Sequence, residues 1–561
     1  MTQASRHTNI DWQHVKVLII DDQLSSALLI QNILHSIKLT TVDIATCSNT
    51  ALQCCRTTSY DLILIDFHLE PHINGSELLA AIRKSNSISS HCGVVFISGD
   101  RTPEVIVTSM TMDADSFLSK PLNIGMLKQR VVTVYQACLL RRPIYTAIEN
   151  NNIPTAITLC RQLLQQQGHN LEIEILLIDL LIKQQQWSQA QQLLTLFNQH
   201  SHNHKLVLRQ AQLTHLQGDT SAAISMLQTL IKQVPLFVDA YDELATLLQQ
   251  QQQDDNAKVI AYKALLLTPT ISHRSLLVAQ LAVNTNDQSL FIKVGKTLVN
   301  HLPIIDDDWI VYLAQYTAQF EQLHSQQLSL QRQQQLIKQL KKLFQQASRC
   351  LSHNQKIHLM AFRHIALARF TATQQALTTK RRLLHGLKRY FGQMSQAPSV
   401  IMVDALPLLI HFGETRLIGE IYQILMTRTV LDPHSHYRMA QLRQNKFLVE
   451  NVRLLVDQLA TAKATITLDP QRAYCIYQTI LRDYPYSTEA HLGRIASLLV
   501  QQQVNHLHIT TSLQQLKKMP LPSPLLEWFR QLQFQYNDQH IISYDQLSPS
   551  SLSSAGLSDA P

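Results

Sequence analysis

Four short apolar runs punctuate the first 120 residues, and each ends in a polar residue. Val15-Lys16-Val17-Leu18-Ile19-Ile20 ends in Asp21-Asp22, Leu62-Ile63-Leu64-Ile65 in Asp66, Gly93-Val94-Val95-Phe96-Ile97 in Ser98, and Phe117-Leu118-Ser119 in Lys120-Pro121. Runs this short and this apolar predict strands buried on both faces. A further strand is predicted near residues 42–45, and helical spacing predicts helices near 25–36, 49–57, 75–83, 103–112 and 124–137. Such alternation gives a parallel sheet with helices on both faces, here five strands in a flavodoxin-like order. Ligands bind at the carboxyl edge of an open parallel sheet. That edge is where Asp21, Asp22, Asp66, Ser98 and Lys120 are expected to converge. Three carboxylates, a hydroxyl and an ammonium suit a magnesium ion and a transferring phosphoryl group.

After Arg141 the strand-like runs vanish and amphipathic helical periodicity takes over. Pro235, Pro269 and Pro303 are each 34 residues apart, and Ala156, Ala190, Ala223 and Ala257 recur at spacings of 34, 33 and 34. In the clearest unit Ala211 is a small-residue contact, Gly218-Asp219 makes a turn, Ala223 follows and Pro235 closes the unit; Ala245, Ala257 and Pro269 repeat the scheme. The period predicts stacked helical hairpins, with small residues where helices cross and proline where no helix continues. About four units span 140–270, and a fifth ends at Pro303. Residues 304–461 read as helical but out of frame. Within them 319–351 predicts one long helix with Leu323, Leu330, Ile337, Leu340 and Phe344 on a stripe. Repeat character returns over 462–537, with Ala473, Tyr484-Pro485 and His491-Leu492-Gly493, and the Ser-rich tail 538–561 is expected to be disordered.

On these residues the segment 1–138 resembles the receiver domain of two-component response regulators, and 139–303 resembles tetratricopeptide repeats. The implied fold is a (βα)5 receiver followed by an all-α solenoid. The receiver resemblance implies that Asp66 accepts phosphate, that Asp21 and Asp22 hold magnesium with it, and that the backbone carbonyl of His68 completes the metal site. It also implies that Ser98 hydrogen-bonds the acyl phosphate, that Lys120 is the invariant lysine and that Phe117 is the switch aromatic. The stretch 67–75 is one residue longer than the commonest loop of that family. The implied partners are a histidine kinase or phosphotransfer protein and an unnamed protein bound by the repeats. The implied class is a cytoplasmic signalling protein rather than an enzyme.

Composition narrows the alternatives. Thirteen glycines occur and no two stand in a G-x-G arrangement, which argues against dinucleotide and P-loop sites and against cyclic-dinucleotide synthases. The eight cysteines form no C-x-x-C and read as reduced, small apolar residues. Residues 1–8 are polar, so no signal peptide is expected, and no apolar stretch is long enough for a membrane span. The triplet His200, His202, His204 and the pair His434, His436 lack carboxylate or cysteine companions, so no metal is expected there. Residues 1–138 carry a net charge of −2 and the remainder +10. Spread over some 420 residues this excess reads as solvated surface, and nucleic acid is not the expected partner. A nucleic-acid-binding regulator and a scaffold with an idle receiver stand as rival classes.

Overall fold

The computed structural model describes residues 12–538 except 71–72, 101, 103–104, 109–113, 201–202, 327–328, 372–374 and 504–505. The expectations for the chain ends, for His202 and for most of a helix over 103–112 lie outside the described residues; within that last segment 105–108 are helical. Contacts divide the chain into two compact units, Met1–Asp306 and Asp307–Pro561.

The first unit opens with a five-stranded parallel sheet. Its strands are β1 (Lys16–Ile20), β2 (Thr41–Ala45), β3 (Leu62–Asp66), β6 (Gly93–Ser98) and β7 (Ser116–Ser119), ordered β2-β1-β3-β6-β7. Between β3 and β6 a two-stranded hairpin, β4 (His68–Glu70) and β5 (Ile73–Asn74), takes up the long loop. Alternate strand residues point to opposite faces, and both faces are covered. Val17, Ile19, Leu62, Leu64, Val95 and Ile97 pack with α1 (Leu24–His35) and with the long helix α4 (Ile124–Glu149). Leu18, Ile20, Ile63, Ile65, Val94 and Phe96 pack with α2 (Ser48–Thr57) and α3 (Gly75–Lys84).

One expected boundary is corrected. Residues 124–137 were expected to form a helix ending before Pro143, yet α4 runs through that proline to Glu149. Proline removes one donor, to the carbonyl of Leu139, and Leu139 lies on an exposed turn. Ile144 and Ala147 beyond it are buried in the next core, which holds the helix together past the proline.

The second half of α4 pairs with α5 (Ile153–Gln167), and four more hairpins follow: α6 (Leu171–Lys183) with α7 (Trp187–His200), α8 (His204–Leu216) with α9 (Thr220–Gln233), α10 (Val238–Gln250) with α11 (Asp254–Leu267), and α12 (Ser272–Asn284) with α13 (Gln288–Asn300). Ala156, Ala190, Ala223 and Ala257 are all fully buried, as the helix-crossing role requires, and so are Ala211 and Ala245. Pro235 and Pro269 fall between hairpins. The backbone shows the period as well. Asn151, Gln185, Gly218, Gln252 and Asn286 carry positive φ at the turn inside each hairpin, 33 or 34 residues apart. Asn152, Asp219 and Asp287 follow three of these turns and cap the next helix through their side chains.

The second unit is helical throughout its described residues, and none of the described helices is long and apolar enough to cross a membrane. The single helix expected over 319–351 is two: α14 (Asp308–Ser325) and α15 (Leu330–Ala347). At the end of α14 the Gln322 carbonyl accepts both the Ser325 hydroxyl at 2.8 Å and the Gln326 N–H at 3.3 Å. Leu330, placed on the expected stripe, is exposed, whereas Leu323, Leu340 and Phe344 are buried.

Replacing the fully buried Ala223 by leucine inserts three extra carbons into a helix crossing. The expected cost is roughly 1–3 kcal/mol, read as a lowered melting transition of the repeats by circular dichroism; unchanged melting would contradict the packing described.

Candidate functional site

The carboxyl ends of β1, β3, β6 and β7 bring the polar residues together. Asp21 follows β1 and is buried, Asp66 ends β3 and is buried, and Asp22 is exposed beside them. Carboxylate oxygens of the three lie within 4.8 Å of one another. Lys120, just beyond β7, reaches back across the cluster: its Nζ stands 2.9 Å from Asp21 Oδ2 and 2.5 Å from Asp66 Oδ2. The lysine is positioned by its own backbone, whose N–H donates to the Ser98 carbonyl at 2.7 Å.

Each aspartate is also held locally. Asp21 Oδ1 accepts from the Gln23 N–H at 2.9 Å, and its Oδ2 accepts from the Ser26 hydroxyl at 2.6 Å. Asp66 Oδ1 accepts from the His68 N–H at 3.2 Å. Asp22 takes no hydrogen bond or ion pair to its side chain from the described residues. Partial desolvation at the crowded sheet edge, and then the charges of Asp21 and Asp66, push the carboxyl of the otherwise exposed Asp22 above its ordinary value. Burial would lower the Lys120 ammonium, but its hydrogen bonds to Asp66 and Asp21 outweigh that and raise it.

The other expected residues surround this cluster. Ser98 is fully buried at the end of β6, one residue past the Asp66–Ile97 pair, and its hydroxyl accepts from the Asp100 N–H at 3.0 Å. Phe117 pairs in register with Phe96 and packs half-buried on the core beneath β6. The His68 ring is exposed, with Nε2 3.5 Å from Asp100 Oδ2.

Three supporting features were not read from the sequence. Gly75 begins α3 with its N–H bonded to the Phe67 carbonyl at 2.7 Å, and a Cβ there would stand 2.3 Å from the Asp66 carbonyl oxygen. Only glycine fits that approach, and a single glycine opening a helix carries no pattern by which to notice it. Arg141 on α4 pairs with Asp115 at 2.5 Å, ahead of β7, and with Glu172 on α6 at 3.2 Å. Val107 packs in a cluster with Val238, Tyr241 and Ala264, and Ile305 packs on the core beside α3. The sheet domain is thus fastened to the hairpins of its own unit at several points.

A family model for the response regulator receiver domain matches residues 17–132, and one for the tetratricopeptide repeat matches residues 147–207. The chemotaxis protein CheY of Pseudomonas aeruginosa is 23% identical over 122 residues, 22% of this chain and 97% of that protein. The nisin biosynthesis regulatory protein NisR of Lactococcus lactis is 28% identical over 118 residues, 21% of this chain and 48% of that protein. Among solved structures, the receiver domain of the Francisella response regulator 1452 is 29% identical, covers 22% of this chain and 97% of its own, and has a TM-score of 0.20. The chain therefore joins a response regulator receiver domain to a helical region that contains tetratricopeptide repeats. Receiver domains are signalling phosphoacceptors that bind magnesium at an acidic pocket. The donor set of Asp21, Asp22 and Asp66 fits that ion, being all oxygen and short of positive charge.

The raised carboxyl of Asp22 gives a pH-dependent expectation. Its pKa is higher in the fold than in the unfolded chain, so the metal-free fold loses stability as pH rises through the folded value. Asp22→Asn should therefore melt above the wild type in chelator at neutral pH, with the gap closing below the ordinary carboxylate range. Magnesium should raise the wild-type melting point and leave that of the variant nearly unmoved. A variant that melts below wild type in chelator would refute this electrostatic account.

Proposed function

We propose that this protein is a response regulator of a two-component phosphorelay, in which Asp66 accepts a phosphoryl group and the helical repeats deliver the output by binding another protein. The observation that carries the reading is the Lys120 ammonium held between Asp21 and Asp66 beside the unpaired Asp22 carboxylate. The donor is a phosphohistidine on a kinase or phosphotransfer protein. A carboxylate oxygen of Asp66 forms the new O–P bond as the N–P bond breaks and its electron pair returns to the imidazole. Asp21, Asp22, Asp66 and the His68 carbonyl would hold a magnesium ion, which would supply the positive charge that two anionic reactants need. Lys120 contributes a second positive charge to the phosphoryl oxygens, and the Ser98 hydroxyl a hydrogen bond. Asp21 keeps Lys120 in place while Asp66 is being modified.

Exposed apolar residues flank this edge: Leu24, Leu28 and Leu29 on α1, and Ile124 and Met126 at the start of α4. They suit a helical face of the phosphodonor. Once Asp66 is phosphorylated it carries more charge and more acceptor oxygens, which draw in Ser98 and Lys120 and let Phe117 repack. Val107, Arg141 and Ile305 join this region to the repeats, so the change reaches them by direct contact. The receiver supports its own phosphorylation and no other reaction, and the setting is the cytoplasm.

Wild type and Asp66→Ala are compared by intact mass after incubation with a small phosphodonor and magnesium. The wild type should gain one phosphate and the variant none; equal incorporation in both would end the assignment.

A further inference from the structure

The positive charge of this protein is concentrated in one place. Residues 139–306 hold twelve Lys/Arg and twelve Asp/Glu, so the +10 excess beyond residue 138 lies wholly in the second unit. There, residues 322–403 hold thirteen Lys/Arg and no Asp or Glu. They build three helices: α15, α16 (His353–Thr371) and α17 (Ala376–Leu387), with a short 3-10 turn at Lys388–Tyr390.

Ten of those cations are exposed: Arg332, Lys338, Lys341, Lys342, Arg349, Lys356, Arg363, Arg381, Lys388 and Arg389. None makes an ion pair with any described residue. The carboxylates that approach these helices are engaged by less exposed cations. Glu321 and Asp404 pair with Arg369 and Arg438, and Glu414 with Lys380. On α15 the exposed stripe reads Gln334, Lys338, Lys341, Lys342 and Gln345, with Arg349 in the turn just past the helix end, opposite buried Leu336, Leu340, Leu343 and Phe344. On α16 Lys356 and Arg363 lie two turns apart on one face, and Arg381 on α17 comes seven residues before Lys388, which opens the 3-10 turn after that helix. The rings of His364 and His385, 5.6 Å apart, join these two helices. Burial, and then the charges of His385, Arg363 and Arg382, hold the His364 imidazole below its ordinary value, so these basic groups share one field. Like charges so arranged repel and destabilise the bare helices. A polyanion would relieve that repulsion.

We infer that the face of α15, α16 and α17 binds the phosphate backbone of a nucleic-acid duplex without reading its sequence. From Gln334 to Gln345 the α15 stripe is about 17 Å long at 1.5 Å per residue, enough to follow several phosphates. Its glutamine amides add neutral donors of the kind that phosphate contacts use. A uniformly cationic surface complements a uniformly anionic polymer better than it does a protein, whose surface mixes signs. A membrane is a poorer match, because the exposed apolar residues Leu330, Met360 and Leu377 sit singly on three different helices. A single strand is also a poorer match. It needs aromatic platforms, and Phe344, Phe362, Phe370 and Tyr390 are all buried.

The test uses the full chain and a short fluorescent DNA duplex of arbitrary sequence, titrated by anisotropy over a series of salt concentrations. The variant Lys338→Gln, Lys341→Gln, Lys342→Gln, Arg349→Gln neutralises the α15 stripe. A second, Arg363→Gln, Arg381→Gln, Lys388→Gln, neutralises the faces of α16 and α17. The control Lys263→Gln, Lys296→Gln removes two exposed lysines of the first unit. We expect binding that weakens steeply with salt, a loss of tenfold or more in at least one of the two variants, and a salt slope shallower by about 0.9 for each phosphate contact removed. The control should bind as wild type does. No duplex binding at low salt, unchanged affinity in both variants, or an equal loss in the control overturns the inference. Capture by polyglutamate or by anionic vesicles in place of the duplex also overturns it, in favour of an acidic protein or a membrane.

Discussion

The receiver end of this molecule depends on a charge imbalance. Three aspartates are crowded at the edge of a sheet, and two of them are withdrawn from water. Such a group cannot remain fully ionised without cations nearby. Lys120 is the cation the chain supplies, and it touches the two buried carboxylates while leaving Asp22 without a partner. The site is stable enough to fold and still short of positive charge. That shortage makes it receptive to a metal ion, and it couples the state of Asp66 to the position of a lysine just beyond β7, two strands away in the sheet.

Coupling of this kind is useful only if the strand bearing the lysine is attached to something. β7 is followed at once by α4, and α4 is at the same time a wall of the receiver core and the first helix of the repeats. Arg141 ties that helix to Asp115 ahead of β7 and to Glu172 on α6. The pair with Asp115 is largely shielded from solvent, and shielding of that order lets an ion pair specify geometry better than an exposed one does. By contrast, the exposed Lys84–Asp306 pair is of the kind that contributes little.

Much of this was legible in the residues. The three central strands and their polar ends followed from runs such as Leu62–Ile65, because a strand covered on both faces must be apolar at every position, whereas β2 and β7, at the edges of the sheet, are only part-buried. The repeat frame followed from Ala223 and its counterparts, because a close helix crossing tolerates little but alanine. What was not legible has physical reasons. Pro143 reads locally as a stop, and only the buried Ile144 and Ala147 beyond it explain why the helix continues. The break after Ser325 is not marked by any interruption of the apolar stripe, which ran on regardless. Gly75 is required by the approach of a carbonyl from β3, a contact that exists only once the chain has folded. Ser98 ends β6, Phe117 lies in β7 and Lys120 follows it, whereas the β4–β5 hairpin replaced what had read as a plain loop.

The unbroken α4 sets a limit on how this architecture could have been assembled and how it can vary. A flexible tether between two modules tolerates insertions freely; a shared helix does not. Each residue added between Cys138 and Tyr145 would swing the repeats about 100° around the helix axis and push them about 1.5 Å along it. Arg141 could then no longer meet both Asp115 and Glu172. Length drift in this segment is therefore quantised: only changes of close to a whole turn preserve the mating surfaces. The two halves can be inherited, swapped or engineered only with their common helix kept in phase.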